Sequence, residues 1–137
     1  YNEDIDLAFR MRLRGGSCLH LDHCVVCHAG SGITGAHSDF TVYHGHRNLV
    51  WTFFKNMPSA LLWRYLPMHV LMTVCTVIYY IFQGRARVIL RAKWDALRGL
   101  NEILRSRREV QHRAMTDASA IRSVLTPGLM KLFKRHD

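Results

Sequence analysis

The chain has 137 residues, room for one ordinary domain or for part of one with an appendage. Its formal net charge of +9 is lopsided: residues 84–137 hold 13 Lys and Arg against 5 Asp and Glu, and residues 1–83 hold 6 against 5. Four Cys (18, 24, 27 and 75) without a secretion signal read as reduced thiols, which excludes a disulfide-built scaffold. The opening Tyr1-Asn2-Glu3-Asp4, with no initiator Met and no signal-type apolar run, reads as the interior of a longer chain.

Residues 3–14 (EDIDLAFRMRLR) predict a helix, with Asn2 as its cap, acids in the first turn and Arg in the last. Asp6 and Arg10, four apart, share one face, and Gly15-Gly16 ends the run. Residues 17–27 are short and β-rich, and predict one strand or two broken near Asp22. Residues 28–38 are a Gly, Ser and Thr loop.

A second helix is expected from about Asp39, with Phe40, Tyr43, Arg47, Val50 and Phe54 along one side, up to a break at Asn56-Met57-Pro58. Residues 59–83 form the apolar centre. Within them Tyr65–Gln83 is 19 residues without a formal charge, interrupted by Pro67 and His69. That length permits a bilayer crossing, and Trp63, Tyr65, Tyr79 and Tyr80 sit where aromatic belts would lie. The thirteen cations that follow oppose a simple single span beyond a cytoplasmic domain. A helix lying in the interface, or a re-entrant hairpin hinged near Pro58 or Pro67, keeps both flanks on one side. The competing reading is the core helix of a soluble protein.

After Gly84 a basic amphipathic helix is predicted from about Ala86 to Arg113, its stripe made of Val88, Ile89, Ala92, Ala96, Leu97, Leu100, Ile103 and Leu104. A short helix capped by Asp117 ends before Thr126-Pro127-Gly128. The basic tail points to an anionic partner. Its apolar neighbour favours anionic membrane lipid, and its few aromatics and missing reading motif disfavour nucleic acid.

Glu3, Asp4 and Asp6 crowd three carboxylates onto one helix start, where mutual repulsion and the helix dipole act in opposite directions. Such a cluster suits a base or a cation, although acids at a helix start are also ordinary capping. The front segment as a whole resembles the family 2 glycosyltransferases of rhamnosyl- and galactofuranosyl-transferase type. The resemblance runs through E-D-x-D-L-x-x-R (Glu3, Asp4, Asp6, Leu7, Arg10), a following Gly, a V-x-H with a nearby Ser (Val26, His28, Ser31), and a helix carrying Tyr43 and the pair Arg47-Asn48. These pieces cover about residues 1–60.

The resemblance implies an α/β fold. The chain would be the C-terminal end of a GT-A type nucleotide-sugar transferase domain (1–57), then an apolar membrane-associated helix (58–84) and a basic helical tail (85–137), mostly helical by residue count. It implies inverting transfer of a sugar from a nucleotide donor to a lipid-linked saccharide or cell-envelope acceptor, at the cytoplasmic face of the bacterial inner membrane. Asp4 would be the general base, with Glu3 and Asp6 beside it, and His28 would ligate a divalent cation (Mg2+ or Mn2+). Arg10, Ser31, Arg47 and Asn48 would meet substrate or phosphate. The nucleotide-binding half would precede Tyr1, leaving these residues inactive by themselves. A non-catalytic membrane-binding helical module is the alternative.

Cys24-x-x-Cys27-His28 also matches a haem-attachment pattern, and Cys18, His20 and His23 add soft ligands near it. Haem would need export and a second axial ligand. A structural zinc site would need a second ligand pair from a separate segment, which the sequence lacks.

Overall fold

The structure, a computed structural model, describes residues 1–19, 21, 23–25 and 38–125. They form six helices: α1 (Glu3–Leu13), α2 (Asp39–Asn56), α3 (Ser59–Phe82), α4 (Ala86–Arg98), α5 (Leu100–His112) and α6 (Ala118–Val124). Among the described residues there is no strand and every regular element is a helix, so the α/β expectation is overturned. The described residues of the expected strand, within 17–25, are coil. Leu19 and Val25 are 85% and 84% exposed, and no strand among the described residues pairs with them. Alternating β-rich residues become a strand only where a partner accepts their backbone bonds and one face is covered.

The middle of the molecule is an up-down-up arrangement of α2, α3 and α4–α5. Ser38 caps α2 by accepting from the Thr41 amide at 3.2 Å, and the chain reverses through Met57-Pro58 into α3. Phe53 of α2 stacks on His69 of α3 with ring centroids 4.1 Å apart, and His46 meets Tyr80 at 5.1 Å, so the two helices run antiparallel. Pro67 lies inside α3 on an exposed side, and the helix passes through it unbroken. The reversal falls at Pro58, and no hinge forms at Pro67.

Gly84 ends α3. At φ +73 its amide bonds the Ile81 carbonyl at 3.0 Å, and the Arg85 amide bonds Tyr80 at 2.8 Å, which together satisfy the last carbonyls of the helix. α4 then returns along α3 and packs on α2, where Ile89, Ala92 and Ala96 are 0%, 0% and 1% exposed. The single basic helix expected over 86–113 is two helices joined at Gly99. Trp51 lies against that residue and donates its indole N–H to the Ala96 carbonyl at 2.9 Å.

The core sits where α2 turns into α3. Leu13, Met57, Leu61, Leu62 and Ile121 are buried together there, with Phe9, Phe53, Phe54 and Tyr65 against them. α1 is held at this end by its carbonyls: Leu13 accepts the Met115 amide at 2.7 Å, and both Arg12 and Leu13 accept the Thr116 hydroxyl at 3.1 Å. Arg107 of α5 closes the α2–α3 turn. One guanidinium nitrogen bonds the carbonyls of Phe54 (2.7 Å) and Met57 (2.6 Å), and the other bonds Ser59 Oγ at 3.0 Å.

α3 is long and apolar enough to cross a membrane, and no residue of its most apolar 18-residue window is buried within the molecule. Among the described residues α3 is therefore not covered in the way a core helix of its length would be.

Candidate functional site

Tyr1 and Asn2 meet the first half of α2, α1 runs on towards the C-terminal end of α2, and the sequence explains how. Asn2 does not cap α1. It takes a left-handed conformation (φ 67) and turns its amide onto the Gly45 carbonyl of α2 at 3.0 Å. Asn48 reaches back to the Tyr1 carbonyl at 2.9 Å. Between the two helices opens a cleft of ≈ 300 Å³, lined by Glu3 and Asp6 from α1, by Arg47, Asn48, Trp51 and Lys55 from one face of α2, and by Ile103 of α5. The α2 residues recur at the spacing of one helix side, and so do Glu3 and Asp6.

Asp6 is the fixed point. Its Oδ1 accepts from Lys55 Nζ at 2.6 Å and from Asn56 Nδ2 at 2.7 Å, and its Oδ2 accepts from Arg10 Nε at 3.0 Å. Burial by itself would raise the Asp6 pKa. The hydrogen bonds from Lys55 and Asn56, with the charges of Lys55 and Arg10, outweigh it and hold the carboxyl below its ordinary value. With both oxygens occupied by three donors, Asp6 ties α1 to the end of α2.

Asp4 stands apart. Two residues along a helix is more than half a turn, so Asp4 points away from the side Asp6 presents to α2. It is exposed, its Oδ1 accepts only from the adjoining Ile5 amide at 2.8 Å, and no cation among the described residues pairs with it. Glu3 is exposed at the rim of the cleft. The three crowded acids thus divide: Asp6 is tied to α2, Glu3 pairs with the Tyr1 amino group, and Asp4 is open.

Arg47 is held on several sides. Its guanidinium lies 4.4 Å from the Trp51 ring and 5.2 Å from the Tyr43 ring, and Nε donates to Asn48 Oδ1 at 3.1 Å. A second nitrogen donates to His44 Nδ1 at 3.2 Å, so that imidazole is neutral there; burial first, then the Arg47 charge, lowers the His44 pKa. A guanidinium fixed in this way at a cleft suits an anionic oxygen.

Arg10 lies on the same side of α1 as Asp6 but one turn further on, beside Arg14, Glu109 and Arg113, and meets the cleft only through Asp6. His28 and Ser31 lie outside the described residues, as do His20, Cys27 and most of the expected loop. Cys18 and Cys24 are exposed, and among the described residues no three His, Cys, Asp or Glu side chains converge on a point. With Asp6 engaged, the described residues do not form a cation site by themselves. Sequence reasoning missed Lys55, Asn56 and Trp51, although Trp51 and Lys55 follow Arg47 at intervals of four. Asn56 gave a weaker signal, a lone amide between Phe53-Phe54 and Met57-Pro58.

No protein-family model matches the chain, and neither the curated proteins nor the solved structures include a detectable relative.

Proposed function

We propose that this chain is the acceptor-facing, membrane-docking part of an inverting glycosyltransferase. The enzyme would move a sugar from a nucleoside diphosphate donor to a lipid-linked or cell-envelope glycan at the cytoplasmic face of the bacterial inner membrane. The observation that carries the reading is Asp4, an exposed carboxylate at the start of a helix that Asp6 pins in place. Exposed apolar surface on α3 supports the membrane setting.

Asp4 takes the proton of the acceptor hydroxyl as that oxygen attacks the anomeric carbon from the side opposite the diphosphate. The glycosidic C–O bond forms while the bond to the diphosphate breaks. The electron pair leaves on the phosphate oxygen, and the anomeric configuration inverts. Arg47 and Asn48 meet a phosphate of donor or acceptor across the cleft. The donor nucleotide would be held mainly by acids outside residues 1–137, with a divalent cation (Mg2+ or Mn2+) that would offset the charge of its diphosphate and that His28 would help to hold.

The test is Asp4→Asn in the full-length enzyme, with sugar transfer to membrane lipid extracts as the readout. The expected result is a loss of turnover of roughly 10²–10⁴-fold with unchanged helical content, since Asp4 supports no packing. Undiminished transfer would remove the catalytic reading and favour a non-catalytic membrane-binding module, which the exposure of α3 equally supports.

A further inference from the structure

α4 has two apolar faces, and packing accounts for one of them. Ile89, Ala92 and Ala96 are buried on α2, whereas Leu90, Trp94 and Leu97 are 51%, 58% and 61% exposed. The exposed trio recurs at intervals of four and three, so it forms one stripe along the outside of the helix. At about 100° per residue, the stripe is bordered on one side by Arg87, Arg91 and Arg98. On the other side it meets α3: Leu97 and Lys93 share an apolar cavity of ≈ 220 Å³ with Leu66, Val70 and Val74. The stripe therefore continues the exposed surface of α3, on which Val70, Leu71, Ile78 and Phe82 are 51%, 53%, 48% and 87% exposed. Arg98 lies over the Trp94 ring at 5.4 Å, its charge directed along the border of the stripe.

We propose that α4 is an interfacial helix: Leu90, Trp94 and Leu97 enter the headgroup layer of an anionic phospholipid bilayer beside α3, and Arg87, Arg91 and Arg98 meet the lipid phosphates. This rests on the membrane reading of α3 and extends it to a second helix and a lipid class. Charge complementarity selects the occupant. An apolar stripe bordered by three arginines, of which Arg91 lies 3.7 Å from Asp95 but keeps 74% of its side chain exposed, matches a surface that is apolar within and anionic at its edge. The same packing fixes how α3 lies. α4 follows α3 so closely that setting α3 across the bilayer would carry Arg87, Arg91 and Arg98 into hydrocarbon, where charged side chains are costly. α3 and α4 lie side by side in the plane of the interface.

The experiment uses the full chain with vesicles of phosphatidylcholine, with and without phosphatidylglycerol, whose acyl chains are brominated to quench tryptophan on contact. Trp51 is half-buried and bonded to Ala96, so Trp63 and Trp94 are the reporters. With Trp63→Phe, vesicles containing phosphatidylglycerol should still quench and blue-shift the emission, and adding Trp94→Phe should abolish that response. Replacing Arg87, Arg91 and Arg98 by Gln should lower partitioning roughly fivefold per arginine with unchanged circular dichroism. Quenching of Trp63 alone overturns the proposal and leaves α3 at the membrane; quenching of neither overturns both. Equal binding to phosphatidylcholine alone overturns it, as does a blue shift of Trp94 that follows protein concentration without vesicles, which would mean a second copy covers the stripe.

Discussion

Asn56, at the end of α2, donates its side-chain amide to the carboxylate of Asp6, 50 positions earlier, across 2.7 Å. Asn56 is fully buried and Asp6 is partly buried, with 14% of its side chain exposed. A carboxylate only accepts, so the orientation of the amide is dictated by chemistry, and its Oδ1 is left buried without a protein partner among the described residues. The bond fastens the α1 end of the proposed active site to the turn where the hydrophobic core lies. Asn56→Ala removes it along with the packing of the amide. The expected loss is about 1–3 kcal/mol of unfolding free energy, measured by urea titration. A smaller loss than that would mean Lys55 and Arg10 suffice to hold Asp6.

Asp6 also makes a prediction about acid. Its pKa in the fold lies below the ordinary 3.8, because donors from Lys55 and Asn56 outweigh the burial that opposes them. A depressed carboxyl pKa contributes stability that is fully present above the unfolded-state value and disappears as pH falls below 3.8 through the folded-state value. Between pH 5 and 2 the stability of the native chain should therefore fall more steeply than that of Asp6→Asn. Parallel curves of melting temperature against pH would show that the carboxylate contributes nothing.

Gly99→Ala tests the joint between α4 and α5. The position has helical φ (−79), so propensity alone predicts a gain of about 1 kcal/mol. A Cβ there would stand 2.7 Å from Trp51 Cζ2, on an indole already bonded to Ala96. Crowding of this kind costs about 1–3 kcal/mol, and the net sign should be destabilising, with a change in the near-ultraviolet signal of tryptophan. Stabilisation would mean that Trp51 relocates without cost.

Arg107→Lys removes a fork without removing a charge. Three bonds to Phe54, Met57 and Ser59 depend on two nitrogens held in one plane, a geometry an ammonium cannot copy. A loss of roughly 1–3 kcal/mol is expected, because buried carbonyls at the α2–α3 turn lose their donor. Amide hydrogen exchange should quicken first around Met57–Leu62. Unaltered exchange there would show that the turn holds without the guanidinium.

The helices themselves were legible in the sequence wherever a local signal marked them. Gly15, Asn56-Met57-Pro58, Gly84 and Asp117 bound elements whose observed limits fall within a residue or two of the expected ones. The Asp6–Arg10 pair followed from spacing alone. The amphipathic pattern of residues 86–113 misled in two ways. It gave no sign of the joint at Gly99, which Trp51 decides from another helix. It also drew one stripe through Ile89, Ala92, Ala96 and Leu97, where the structure buries the first three and leaves Leu97 exposed. The expected strand failed for the same kind of reason, since pairing is not a property of the strand alone.

Charge distribution, helix ends and the long apolar run are properties of neighbouring residues, so the sequence by itself determined them. It also determined that three carboxylates would crowd one helix start. Which carboxylate is tied down and which stays open was decided by Lys55 and Asn56, some fifty positions away, and only folding brings them to Asp6. Likewise α4 carries apolar residues around more than one side, and α2 covers just one of them. What remains for a membrane is the face that tertiary packing leaves bare.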